Sequence, residues 1–207
     1  MWFETPPLLA AFAELSICEK KYRDAANYLK DGMEIANKTD NMAHRFELLC
    51  RRVELNIAMT NRDAVRDDLL TLNGICEQHP CTPWIVRIRL LTAQFDFSRN
   101  SFQKTTKAIK AFFEVATNLQ NSYLMGIGYA LSAKLNFEVF KRQLGRVSLE
   151  KTDKLFSSAT TILESIGAWH LVADNLRYHA DFLDMTGKEA DAKRCRDRAE
   201  KVDPFCQ

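Results

Sequence analysis

Glycine and proline are scarce, seven and five in 207 residues. That leaves too few turn residues for the closely spaced hairpins of a sheet protein, and Gly/Pro/Ser-rich linkers are missing as well. The longest apolar runs, such as residues 6–13, fall far short of the ~20 residues that a membrane-spanning helix needs. An excess of one charge sign is also lacking: 29 basic against 27 acidic residues leave a net +2, too little to argue for nucleic acid or an anionic membrane surface. The six cysteines, Cys18, Cys50, Cys76, Cys81, Cys195 and Cys206, show no disulfide-framework spacing. The opening Met-Trp-Phe-Glu-Thr has no basic start, apolar middle and small-residue cleavage site. These features predict an intracellular protein of the cytoplasm or nucleus, in a reducing compartment where free cysteines act as small hydrophobes.

What is present is helical periodicity. Trp84, Ile88, Leu91 and Phe95 recur at steps of four and three, as do Phe46, Cys50, Val53 and Ile57, and each set marks one face of a helix. The same rhythm runs through Ile109, Phe112 and Ala116, then Leu124, Ile127, Leu131 and Leu135, then Leu155, Ala159, Ile162 and Ile166, then Trp169, Val172, Leu176 and Leu183. Punctuation divides it into about ten helices, near 7–19, 22–37, 41–60, 63–78, 83–98, 101–119, 122–142, 148–166, 168–186 and 188–202. Asp40 or Asn41, Asn61, Thr82 and Ser101 are the predicted N-caps, and Gly145, Gly167 and Gly187 mark helix ends. Short connections between such helices make antiparallel hairpins. Turns near Lys20, Asn61, Asn100, Gly145 and Gly187 recur about every 40 residues, a solenoid spacing. The expectation is therefore all-α: one domain over 1–207, a superhelical solenoid of about five hairpins at 7–37, 41–78, 83–119, 122–166 and 168–202.

The last hairpin reads Leu176, His179, Ala180, Leu183, Gly187, Ala192, Arg196, Ala199, Pro204. This pattern resembles the tetratricopeptide motif, with small residues where helices cross closely, glycine at the turn and proline at the exit. Leu9, Phe12, Ala13, Lys20, Tyr22, Ala25, Leu29 and Gly32 follow it in the first hairpin. From Leu149 to Pro204 the chain also resembles the C-terminal repeats of subunit five of the anaphase-promoting complex, a ubiquitin ligase platform. Leu149-Glu150, the spacing through Ile162 and Tyr178, Gly187-Lys188, Arg194-Cys195 and Pro204 carry that likeness. It implies a segment that docks other subunits in the cell-cycle ubiquitin pathway and performs no catalysis.

Motifs for chemistry are thin. Cys76, His79 and Cys81 have metal-ligand types, but a zinc site needs a fourth ligand and Pro80 makes the geometry awkward, so no metal and no cofactor are expected. His44, His170 and His179 sit in no catalytic motif. Gly126-Ile127-Gly128 echoes a phosphate loop without its third glycine or strand, and close helix packing is the better reading. The basic residues of 188–201 alternate with acids, as on a solvated face. Arg51, Arg87, Gln94, Asp174, Arg177 and Asp181 lie on first helices outside the apolar stripe, and they are the candidate contacts for a peptide or partner helix on a concave surface. The predicted function is a non-catalytic scaffold for protein partners, with no nucleic acid, membrane or small-molecule substrate. The alternative is a ligand-sensing or regulatory repeat domain of a signalling protein.

Overall fold

The computed structural model describes residues 5–203, so Pro204 and Cys206 lie outside the described residues. Among the described residues ten α-helices follow one another: α1 (Thr5–Cys18), α2 (Tyr22–Lys38), α3 (Met42–Ala58), α4 (Arg62–Gln78), α5 (Thr82–Ser98), α6 (Phe102–Ala116), α7 (Ser122–Lys141), α8 (Leu149–Ser165), α9 (Trp169–Met185) and α10 (Glu189–Val202), with a 3-10 turn at Thr117–Leu119 after α6. No strand occurs among the described residues. The fold class is all-α helical repeat. The chain divides into two compact units, Met1–Asn100 and Ser101–Gln207. In the first, α1 pairs with α2, α3 with α4, and α5 packs on both α3 and α4. In the second, α6 packs on α7, α7 pairs with α8, and α9 pairs with α10. No helix among the described residues is long and apolar enough to cross a membrane.

The turns explain the even helix lengths. Lys20, Asp40, Thr60, Asn100, Gln120, Gln143, Gly167 and Gly187 all have positive φ, the left-handed conformation that ends a helix. At Lys20 and Lys21 the amides donate to Ile17 O at 3.0 Å and Ser16 O at 2.8 Å, and the same two bonds recur at Asp40–Asn41, Thr60–Asn61, Gln143–Leu144, Gly167–Ala168 and Gly187–Lys188. They satisfy carbonyls that the helix leaves open, and except after Gln143, where the 142–148 loop is longer, the chain re-enters a helix within two residues. The 20-residue rhythm would place another such residue at position 80, where Pro80 stands. Proline cannot reach positive φ, and that turn takes a different form. Asn41 and Asn121 cap α3 and α7 through their side chains, accepting from His44 N at 3.1 Å and Leu124 N at 3.0 Å. The N-cap of α5 is Cys81 rather than the predicted Thr82, because Pro83 takes one of the first helical positions and moves the boundary back by one residue.

The repeat is in strict register. Ala13, Val53, Ala93 and Ala133 stand 40 residues apart on successive first helices, and Ala180 is their equivalent after the longer 142–148 loop; all are fully buried. On second helices Ala25, Val65, Thr105, Thr152 and Ala192 form the matching fully buried series. Where a second helix meets the next first helix, the partners trade size. Gly32 on α2 lies against Leu48 on α3, and a Cβ there would stand 2.8 Å from Leu48 Cδ2. Eighty residues on, Phe112 is the large partner and Gly128 the small one, with 2.4 Å between a Cβ at Gly128 and Phe112 Cε1. Gly126-Ile127-Gly128 is thus mid-helix in α7, with Gly126 facing Leu163 and Gly128 facing Phe112.

Candidate interaction surfaces

In the first unit Arg51 is the hub of an ion cluster. Its guanidinium reaches Glu14 on α1 at 2.8 Å, and Glu47 and Glu54 on α3 at 3.0 Å each. Arg87 on α5 joins through Glu54 at 2.5 Å. The expectation that the core leaves Arg87 unclaimed is corrected: it is 8% exposed, because Glu54 supplies a counter-charge beside it at the α3–α5 contact. Gln94, two turns along α5, is half-buried. Burial keeps the adjacent Cys50 thiol protonated by pushing its pKa far up.

Asp174, Arg177 and Asp181 share one face of α9 but reach different neighbours. Asp174 accepts from Lys134 on α7 at 2.5 Å, and Lys134 also lies 4.3 Å above the Tyr178 ring. Arg177 pairs with Asp203 at the end of α10. Asp181 faces Arg196 on α10 at 3.5 Å, and that arginine is also held by Asp184. Of the predicted residues, Arg51, Arg87, Asp174, Arg177 and Asp181 therefore act first as ties between helices, and Arg51 and Arg87 share one cluster through Glu54.

Three features escaped the sequence pattern. A groove of about 410 Å³ runs between α2 and α3, lined by Leu29, Lys30, Met33, Leu55 and Asn56 among others. Its repeat equivalent, about 310 Å³, lies eighty residues on and is lined by Ile109, Lys110, Phe113, Leu135 and Asn136. The second feature is a polar line that joins α8 to the last hairpin. His179 Nε2 is 2.7 Å from Asp153 Oδ1, Lys188 Nζ is 2.8 Å from Asp153 Oδ2, and Cys195 Sγ is 4.0 Å from His179 Nδ1. Burial lowers the His179 pKa against the opposing pull of Asp153, so the ring is neutral, donates from Nε2 and presents Nδ1 to the thiol. Burial raises the Cys195 pKa, so the arrangement holds a protonated thiol and not the thiolate that nucleophilic chemistry requires. Asp153 is itself penalised by burial, but hydrogen bonds from Lys188 and His179 hold its pKa below the usual value.

The third feature is an apolar strip on α1, where Leu8, Phe12 and Leu15 are 53%, 41% and 45% exposed. Phe12 meets Tyr28 of α2 at 5.5 Å, and its remaining surface faces solvent. The metal-type residues of the sequence are not gathered into a centre. Cys76 is buried in the first unit's core, His79 is exposed past the end of α4, and no set of three or more His, Cys, Asp or Glu among the described residues can hold a metal.

No protein-family model and no curated protein matches the chain. Among solved structures it is similar to BtubC (BKLC) from P. vanneervenii, with a TM-score of 0.60 and 12% identity over 94% of this chain and 78% of that one. At that identity the likeness shows the fold alone.

Proposed function

We propose that the chain is a non-catalytic, tetratricopeptide-like scaffold that holds other proteins. The observation that carries this reading is the apolar strip of Leu8, Phe12 and Leu15 on α1. Apolar side chains left this exposed along one helix face form a surface that an apolar element of a partner can cover. A ligand sensor would instead enclose a polar pocket, whereas both repeat-equivalent grooves are open clefts that mix apolar and polar side chains. An enzyme using Cys195 would need an activated thiolate, and here burial acts in the opposite direction. The finer reading, that the assembly is the anaphase-promoting complex, rests on the resemblance of residues 149–204.

The test is affinity purification of the tagged chain at moderate salt, followed by mass spectrometry. The scaffold reading expects stoichiometric protein partners, and a chain that consistently purifies alone would sink it. Co-purified ligase subunits would support the finer reading, and a defined set of partners without any ligase subunit would refute it.

A further inference from the structure

The two repeat-equivalent grooves differ in charge. Behind the first, a carboxylate is built in. Asp68 of α4 is 5% exposed and accepts from Arg52 of α3, from Nε at 3.0 Å and from Nη2 at 2.5 Å, and the Asn56 side-chain amide donates to it at 3.3 Å. Arg52 and Asn56 both line that groove, and so does Glu34 beside Lys30.

In the second groove the same register changes the set. Counted from Val65 and Thr152 on the second helices, Leu155 stands in the place of Asp68 and Lys151 in the place of Ala64. Ser132 replaces Arg52, while Asn136 keeps the place of Asn56 and Lys110 that of Lys30. The carboxylate is gone and a second cation has entered. Ser132 turns its hydroxyl back onto Gly128 O at 2.8 Å, so it does not take over the partnership with the asparagine. Asn136 is half-buried, and its side-chain amide meets no other described residue. Lys110 and Lys151 are exposed, come from the two helices that flank α7, and enter no ion pair among the described residues. No carboxylate lines this groove; Glu114, the equivalent of Glu34, lies on α6 outside it.

We infer that the α6–α7–α8 groove docks a short acidic segment of a partner protein, with a carboxylate set among Lys110, Lys151 and Asn136 and a bulky apolar side chain against Phe113 and Leu155. The inference rests on the scaffold reading and gives one of its contacts a chemistry. The first groove supplies the precedent, because there the equivalent asparagine donates to a carboxylate that a basic side chain also holds. Half-buried Phe113 and Leu155 offer the apolar contact and reduce the solvation of the charges beside them. At about 310 Å³ the groove is at the small end of the ~300–1,000 Å³ usual for ligand clefts, which suits a few side chains and not a folded domain. Single-stranded nucleic acid is a poorer occupant, since its bases need free aromatic faces. Phe113 is the sole aromatic lining residue, and its ring already packs on Phe112 and Tyr129 at 5.0 and 5.2 Å.

The test presents the full 207-residue chain to a phage-displayed library of random peptides, then measures the enriched peptides, labelled with fluorescein, by fluorescence polarisation. The enriched sequences should combine Asp or Glu with a bulky apolar residue. Binding should weaken about tenfold or more for the Lys110→Glu/Lys151→Glu chain, and equally for a peptide whose acids are changed to amides, because both remove the charge pairing. Asn136→Ala should weaken it several-fold, and Lys30→Glu in the first groove should leave it unchanged. All of these side chains are exposed or half-buried, so circular dichroism and the thermal midpoint should match wild type; if the glutamates lower stability, Lys110→Gln/Lys151→Gln replaces them. A library that yields no binder, enriched peptides without acids, or equal binding by the wild-type and doubly substituted chains overturns the inference. An equal loss from Lys30→Glu overturns it as well. Saturable binding of single-stranded oligothymidylate that depends on Lys110 and Lys151, with no peptide enriched, overturns it in favour of nucleic acid. None of these outcomes decides the scaffold reading, which fails separately if native purification returns the chain alone.

Discussion

At Gly128 a single missing methyl group is a packing requirement. The position is mid-helix, where alanine would ordinarily be better by about 0.5–1 kcal/mol. Here the added Cβ meets a fully buried Phe112 ring at 2.4 Å, with Phe113 Cζ close behind at 3.2 Å, and a ring wedged between helices cannot rotate out of the way. Overpacking of this kind costs on the order of 1–3 kcal/mol, so Gly128→Ala should lower the denaturant midpoint, and Phe112→Leu in the same chain should recover part of the loss. Gly74 in α4 is the control. Nothing stands within 4 Å of its added Cβ, and Gly74→Ala should raise stability by about 0.5–1 kcal/mol. His179 makes a second residue-scale prediction. Its folded pKa lies below the ordinary 6.5, so the folded state binds fewer protons than the unfolded one, and stability present above that value is lost as pH falls through and below it. Asp153, also lowered, extends the loss to more acidic pH. Thermal midpoints measured from pH 8 to pH 5 should fall, and the part of the slope nearest pH 6 should flatten in His179→Gln.

The helices were legible because their period, punctuation and length agree. Each predicted helix overlaps its observed counterpart, and most ends fall within two residues, since buried positions such as Leu29, Gly32 and Ala36 recur with strict helical spacing. Turn chemistry was less legible. Glycine marks only the last two left-handed turns, Gly167 and Gly187, while Gly145 sits two residues beyond the turn residue Gln143. At the earlier turns ordinary side chains are forced to positive φ by tight re-entry into the next helix, and nothing in their identity announces it. Thr60, with φ of 59°, is the most strained in kind, because a β-branched side chain crowds the backbone in this region. Thr60→Gly should stabilise the chain by about 1 kcal/mol, the left-handed penalty of roughly 1–2 kcal/mol offset in part by the greater unfolded-state freedom of glycine. An unchanged or lower denaturant midpoint would mean that the Thr60 conformation is not strained.

Across the chain the 40-residue register organises the core, but it does not determine where charges find partners. Arg51 and Arg87 read as solvated residues because the sequence shows only that they avoid the apolar stripe. Their real surroundings depend on Glu14, 37 positions before Arg51, and Glu54, 33 before Arg87, which only the stacking of α1, α3 and α5 brings near. The α1 strip was hidden for the opposite reason: Leu8, Phe12 and Leu15 match the core pattern, and only the three-dimensional register shows that their face is exposed. The ion cluster changes what substitution of the arginines would do. Replacing exposed arginines by alanine improves helix propensity at little cost, but Arg87 is buried and shares Glu54 with Arg51. Arg87→Ala would leave a cavity and a carboxylate with one fewer partner in a poorly solvated place. Breaking a fully buried ion pair costs about 3–5 kcal/mol, and with the Glu54 side chain 22% exposed and Arg51 still bound to it, the loss should be about 2–3 kcal/mol. Arg87→Met, which keeps most of the volume, should lose less, and Glu54→Gln in the Arg87→Ala chain should recover part of the cost by removing the stranded charge. Chemical denaturation of wild type, Arg87→Ala, Glu54→Gln and the double variant measures this coupling, with Arg87→Met as the packing control. Near-additive losses would show that Arg87 is held by packing alone and that the α3–α5 contact does not depend on the Glu54 charge.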